Sequence, residues 1–598
     1  MPTLAATCIP TLAVSCLQGS IPYKEYFLLL ISLEQRSGTL CRARKKLFML
    51  STETTNDRSV IISLVGQEGA SNMADQVPPE LLDPNTPAEV IIRLEARKPV
   101  TDPKLGIPVP PPEAKGARNR LVVLGDSLSH GFQSVAIFNT DLSYPAIIAR
   151  ELAWYDSFRF PEYRAFGGLP LNLEYLGREL EQKYGAEIPW WELAFAAFTV
   201  HQLLDQIRVY WEQGPGSHIP QINGIMHNLA VAGFDIRDLM ACTADTERAA
   251  MQPRNDTFLH PLVNNAGPLM ALYVLDSARD PATGQALTPV QAAKAHGADG
   301  GIETLIVFIG ANNALGTVLD LQVKWSDVGY DDPARKSAYN VWRPSHFAAE
   351  LQELQAQIRE VNAQHVIWCT VPHVTIVPIA RGIGGKMRPG SRYFPYYTRP
   401  WIDDTQFNPS VDPYLTGNQA RAIDSAIDMY NDAITAMVST ARQDGRDWLL
   451  LDTAGLLDRL ATRRYILDPA AMPSWWTPYK LPPQLAALTP PPDSQFMACD
   501  QQGRTAGGLF SLDGVHPTTI AYAILAQEFM NVMQAAGVVF YQADGSTPQT
   551  PPVMTDFGWA IQRDTLISDP LKSVTSDLKL LSWANELLDW VKALALHL

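Results

Sequence analysis

The stretch Leu121-Val122-Val123-Leu124-Gly125-Asp126-Ser127-Leu128-Ser129 decides how the chain is read. A short, continuously apolar run suits a strand buried on both faces, and Gly-Asp-Ser ends it with residues that turn the chain and start a helix. In a parallel sheet, ligands gather at the carboxyl ends of the strands. A serine placed there meets substrate and also the N–H groups of a helix N-terminus, which stabilise negative charge. Taken alone, the same residues also describe a helix cap, because Asp and Ser both cap well.

Outward from this segment the pattern repeats. Apolar runs of strand length at 121–124, 224–230, 304–309, 365–371 and 448–451 alternate with helical periodicity, as over 347–361 and 420–441. Continuously apolar strands separated by helices predict a parallel sheet covered on both faces. The fold expected is therefore α/β, a three-layer α/β/α domain over 118–540 on a sheet of five parallel strands.

A serine hydroxyl is a poor nucleophile until a base takes its proton, and the base needs a carboxylate to orient it. Asp513-Gly514-Val515-His516-Pro517 supplies both at a spacing that one turn can bring together. Pro517 suits the first turn of a helix over 518–533. Attack on an ester also places negative charge on the carbonyl oxygen, and preorganised donors aimed at it are usually the largest catalytic contribution. Gly233 follows the second apolar run and lets its backbone N–H approach closely. Asn312, in Gly310-Ala311-Asn312-Asn313, follows the third and offers a side-chain donor. His130 is close to Ser127 in sequence, but the Asp513–His516 pair is the better-oriented base.

These four blocks, in this order, resemble the SGNH hydrolases, the GDSL family of lipases and esterases. The resemblance rests on Gly125-Asp126-Ser127-Leu128, Gly233, Gly310-Ala311-Asn312 and Asp513-Gly514-Val515-His516, and covers about 118–540. It implies a flavodoxin-like sheet of five strands and a Ser127–His516–Asp513 triad acting through an acyl-enzyme. It further implies an oxyanion hole from Ser127, Gly233 and Asn312, a small-molecule or lipid ester as substrate, and no cofactor or metal. Two positions depart from the family pattern. Asn313 stands where the third block commonly has Asp, which is expected to alter local hydrogen bonding only. About 200 residues separate Asn312 from His516, more than compact members need. That extra length holds two aromatic, proline-rich stretches, 392–401 and 473–483. They are read either as a lid or wall over the site or as insertions packed on the surface.

Other signals carry less. Residues 382–387 lack the spacing of a phosphate loop. His373 is expected to be structural or to line the pocket. The net charge of −15 gives no basic face for nucleic acid. The six cysteines include no CxxC pair, so neither a zinc site nor a disulfide scaffold is expected. Cys369 is expected to be a small buried hydrophobe. No apolar run reaches the ~18 residues of a membrane span, and the first 20 residues contain no Lys or Arg, unlike a secretory signal. The protein is therefore expected in the cytoplasm, without stable membrane insertion.

Three segments result. Residues 1–117 form an N-terminal extension, expected to be partly disordered, with a proline-rich linker over 99–113 and a native start placed near Met73. Residues 118–540 form the hydrolase-like domain with long insertions. Residues 541–598 form a C-terminal extension ending in an amphipathic helix over 573–598. An acyltransferase on the same site, and a non-catalytic binding protein on the same fold, remain alternatives to an esterase.

Overall fold

The computed structural model describes residues 77–110, 116–163, 168–189, 191–253 and 263–572. The proposed start near Met73, the chain before residue 77 and the expected helix over 573–598 lie outside the described residues. Four parallel strands form the central sheet and lie side by side in chain order: β1 (Asn119–Gly125), β2 (Ile302–Phe308), β3 (Ala363–Cys369) and β4 (Trp448–Leu451). The helices that build or support the site are α1 (Ser127–His130), α2 (Tyr144–Glu151), α3 (Pro289–Ala298), α4 (Asn312–Asp320), α5 (Pro344–Ile358), α6 (Gly417–Gln443), α7 (Thr453–Leu460) and α8 (Thr519–Ala536).

Register aligns the apolar rows: Val123 lies beside Ile306, Ile306 beside Ile367, and Ile367 beside Leu449. Leu121, Val122, Val123 and Leu124 are all fully buried. Successive strand side chains point to opposite faces, so both faces of the sheet are covered. One group of helices pairs α2 with α8 through the stacked rings of Tyr144 and Phe529, 4.6 Å apart, and touches β1 and β4. A second group pairs α5 with α6 through Phe347 and Tyr430, 4.2 Å apart, and includes α3. Thr416 and Gln419 form a capping box that starts the long α6. Cys369 is buried at the end of β3.

The fifth apolar run, 224–230, is not a full strand. It follows β1 through a single parallel bridge between Val123 and Asn228. The Val123 N–H donates to His227 O, and the Leu229 N–H donates to Val123 O, both at 2.9 Å. His227 gives its carbonyl to β1 but its N–H to Arg159 O, at 2.8 Å. That twist sends the preceding residues away from the sheet and ends the ladder. The expected five-stranded sheet is thus four strands flanked by one bridged segment.

The proline-rich stretch, where described, is not a free linker. The Leu450 N–H donates to Pro103 O at 3.0 Å, which covers the open edge of β4. Arg442 Nε donates to Ile107 O at 2.8 Å. Asp452 draws the segment down: it accepts from the Val100 N–H at 2.6 Å and from Arg97 Nη1 at 2.9 Å. The same carboxylate caps α7 through the Gly455 N–H at 3.1 Å and accepts from Thr370 Oγ1 at 2.7 Å. The side chains of Arg97 and Asp452 are only 8% and 4% exposed. Removing one partner of a buried ion pair costs about 3–5 kcal/mol. Asp452→Ala should lower the free energy of urea unfolding by that amount and open residues 97–107 to limited proteolysis. An unchanged midpoint and digestion pattern would show that the segment is held by other contacts.

Candidate active site

β1 turns into α1 at Gly125. A Cβ there would lie 2.4 Å from Ser129 Oγ and 2.7 Å from Phe308 O, so only glycine fits. Asp126 caps α1 by accepting from the Leu128 N–H at 3.0 Å. Gly131, at φ +94°, closes the helix after one turn. Ser127 therefore stands at the carboxyl end of β1, on the first residue of a helix. Behind it, Ser129 Oγ bonds Tyr144 Oη at 2.7 Å, and Tyr522 Oη donates to Phe132 O at 2.8 Å. The turn that carries Ser127 is thus clamped by α2 and α8.

The three residues expected to act together are together. His516 Nε2 lies 2.9 Å from Ser127 Oγ, and His516 Nδ1 lies 2.9 Å from Asp513 Oδ2. Phe132 packs on the imidazole, with ring centroids 4.5 Å apart. Asp513 Oδ1 also accepts from the N–H groups of Val515 and His516, each at 2.8 Å, and from Ser511 Oγ at 3.2 Å. Asp513 Oδ2 accepts from the Val135 N–H at 3.0 Å. Burial alone would raise the Asp513 pKa, but the charge and ring N–H of His516, with the backbone donors, bring it below the usual carboxylate value. Asp513 is accordingly an ionised, fully bonded anchor for the imidazole.

The segments that carry the expected oxyanion donors are hydrogen-bonded to one another. The Val231 N–H donates to Gly125 O at 3.2 Å and the Ala232 N–H to His130 Nδ1 at 3.1 Å, which ties the Gly233 turn to α1. Gly233 adopts φ +84°, a left-handed backbone that favours glycine. Asn312 Nδ2 donates to Phe234 O at 2.9 Å, one residue past Gly233. That uses one amide hydrogen and leaves a second. Among the described residues, neither the Ser127 N–H nor the Gly233 N–H has an acceptor. Asn313 turns away, and its Oδ1 accepts from the Ile236 N–H at 3.3 Å.

Against Ser127 and His516 lies an apolar cavity of about 900 Å³, its mouth included. Leu315, Val377, Leu460, Phe510, Ile524 and Leu525 form much of its wall. These residues come from α4, α7 and α8 and from the segments after β3 and before His516, at the carboxyl end of the sheet.

Several residues play parts that the sequence did not show. His130 is buried, with Nδ1 on the Ala232 N–H and Nε2 3.0 Å from Tyr163 Oη. Burial drives its pKa down to about 3, so it is a neutral brace for the Gly233 turn. Asn228 holds the same turn from below, with Nδ2 donating to Ser129 O at 2.9 Å. His373 does not line the cavity: its two ring nitrogens each lie 3.1 Å from a carboxylate, Asp458 and Asp428. Neither aromatic stretch lines the cavity at Ser127. Tyr396–Thr398 pairs with Arg381–Ile383 and Leu415–Thr416 in a small antiparallel sheet, and Trp476 Nε1 donates to Asp458 O at 3.1 Å. Among the described residues, no cluster of His, Cys, Asp and Glu has the makings of a metal site, and no helix is long and apolar enough to cross a membrane.

No family model matches the chain, and no curated protein matches it.

Asp126 gives a test of the buried turn at Ser127. Among the described residues its Oδ2 has no hydrogen-bond partner, and burial raises its pKa to about 7 against the Leu128 N–H and the charge of His516. A raised pKa means that the folded state holds this proton more tightly than the unfolded chain. The resulting stability is complete below the unfolded value of 3.8 and is lost as pH rises through about 7. Asp126→Asn keeps an oxygen for the Leu128 N–H and cannot ionise. Urea unfolding at successive pH values should show the variant gaining about 4 kcal/mol on the wild type between pH 4 and pH 8. Parallel curves would mean that Asp126 ionises freely in the folded protein.

Proposed function

We propose that this protein is a serine hydrolase of carboxylic esters, an SGNH-type esterase or lipase on a flavodoxin-like core. The observation that carries the proposal is the continuous hydrogen-bonded chain from Asp513 through His516 to Ser127, beside unoccupied N–H donors at Ser127 and Gly233. A base within hydrogen-bond reach of a hydroxyl, itself oriented by a buried carboxylate, is the requirement for an activated serine.

In the proposed cycle, His516 Nε2 takes the Ser127 proton as Oγ attacks the ester carbonyl. The electron pair moves to the carbonyl oxygen, where the N–H groups of Ser127 and Gly233 and the second amide hydrogen of Asn312 receive it. Asp513, held ionised by its five hydrogen bonds, stabilises the imidazolium and fixes its ring. The tetrahedral adduct collapses, His516 returns the proton to the leaving alcohol, and an acyl-Ser127 remains. Water, with His516 again as base, releases the acid. The cavity wall is mostly apolar, with Leu460, Phe510, Ile524 and Leu525 outweighing the hydroxyls of Thr453 and Ser494, so it favours an apolar acyl group over a short or charged one.

A fluorophosphonate probe should label Ser127. Ser127→Ala should abolish both labelling and nitrophenyl-ester turnover, by about 10⁴-fold or more. Asn312→Ala should cost about 10²–10³ in kcat. Near-normal hydrolysis by Ser127→Ala would end the proposal.

The acyl side is tested separately. Leu525→Trp puts a large ring into the cavity. In a series of nitrophenyl esters it should depress decanoyl turnover at least ten-fold more than acetyl turnover. Equal losses on both esters would place the acyl chain elsewhere.

A further inference from the structure

The two aromatic stretches meet at a second cavity, which shares no lining residue with the one at Ser127. It spans about 1180 Å³ with its mouth included. Residues 388–393 form one wall, 470–475 another, 94–96 the rim, and Arg421 of α6 the floor. Arg421 is only 3% exposed, yet its guanidinium makes no hydrogen bond and no ion pair among the described residues. It lies over the face of Tyr393, with Cζ 4.8 Å from the ring centroid. Burial, with Arg392 and Arg388 nearby, holds its pKa below the ordinary arginine value.

Arg392 is 8% exposed and lines the same cavity. Its Nε donates to Tyr393 Oη at 3.0 Å, and among the described residues no carboxylate forms an ion pair with it. Asp424 acts on Arg392 through its charge but gives its hydrogen bonds to other groups. Asp424 accepts from Arg464 Nη1 at 2.9 Å, from Tyr393 Oη at 3.0 Å and from Thr375 Oγ1 at 2.5 Å. Arg388 stands exposed at the mouth, and Glu95, also exposed, is the one acidic residue in the lining. Three guanidiniums therefore face one carboxylate across an open cavity. A buried arginine without a counter-anion costs several kcal/mol unless something else supplies the charge.

We propose that this cavity is an oxyanion-binding site, with Arg421 and Arg392 as its buried fork donors and Arg388 at its mouth, and that it takes a phosphate group. The surplus of positive charge in the lining matches a dianion, and guanidiniums pair with phosphate oxygens two at a time. Trp475, half-buried in the wall, gives an apolar face for whatever the phosphate is attached to. The site is separate from Ser127 and does not rest on the esterase reading.

The test is thermal unfolding of the full chain against low-millimolar inorganic phosphate or glycerol 3-phosphate, with sodium chloride at matched ionic strength as reference. A ligand that binds only the folded state raises Tm with its concentration. Wild type should show that rise, and Arg421→Met should lose it. Arg388→Ala, at an exposed position where folding is not at issue, should weaken the apparent affinity at least ten-fold. A rise with the monoester alone assigns the site to a phosphorylated molecule, and a rise with both assigns it to phosphate as such. No rise with either, or an equal rise in wild type and Arg388→Ala, would overturn the proposal.

Discussion

The Asp513 carboxylate is the constraint on which the site depends. An ionised carboxylate in the interior is costly unless each lone pair is used. Here five donors use them: the N–H groups of Val135, Val515 and His516, the Ser511 hydroxyl and the His516 ring. Four of these donors lie in the loop that carries Asp513 and His516, but the Val135 N–H comes from the hairpin that follows Ser127. One carboxylate thus locks the loop near residue 513 to the segment just after Ser127. The demand is met at the expense of the backbone. Ser134 and Val135 adopt φ +50° and +60°, a region that a β-branched residue enters only under constraint. Their N–H groups are held there by Ser511 Oγ, at 2.9 Å, and Asp513.

This arrangement explains what the sequence could disclose and what it could not. The apolar runs that become β1 to β4 are buried on both faces, so burial itself writes them into the sequence as uninterrupted hydrophobic stretches. Gly125, Asp126 and Ser127 are readable because a sharp strand-to-helix turn admits few residues. Asp513 and His516 are readable because their spacing is local. Val135, His130 and Asn228 were not readable, since each acts through the direction of a backbone or ring bond to a distant partner. The 224–230 run reads as a strand because most of its residues are apolar. What stops it is the His227 N–H turning to Arg159 O, a choice made by tertiary contact.

The proline-rich segment shows the same limit from the other side. Prolines cannot extend a sheet ladder, and the composition of 99–113 describes a linker. Yet a carbonyl accepts as well in an extended proline segment as in a strand. Pro103 O takes the Leu450 N–H, Asp452 anchors the chain before it, and Arg442 holds the chain after it through Ile107 O. A segment without strand character can therefore finish the edge of a sheet, because the edge needs an acceptor rather than a partner strand.

Charge is treated in two ways within the half of the protein beyond β3. His373 between Asp428 and Asp458, and Arg464 on Asp424, are buried ions whose partners are supplied by the chain. The charge of those carboxylates outweighs burial and raises the His373 pKa to about 10, so the cluster keeps its charge across the neutral range. Arg421, on the same helix as Asp424 and Asp428, has burial without a carboxylate, and its pKa moves the opposite way. Low dielectric strengthens a paired charge and penalises an unpaired one. The contrast on one helix follows from where each side chain points: Asp424 and Asp428 face into packed protein, and Arg421 faces an open cavity. Packed protein can carry its own counter-ion, whereas a cavity leaves that charge to be matched from solution.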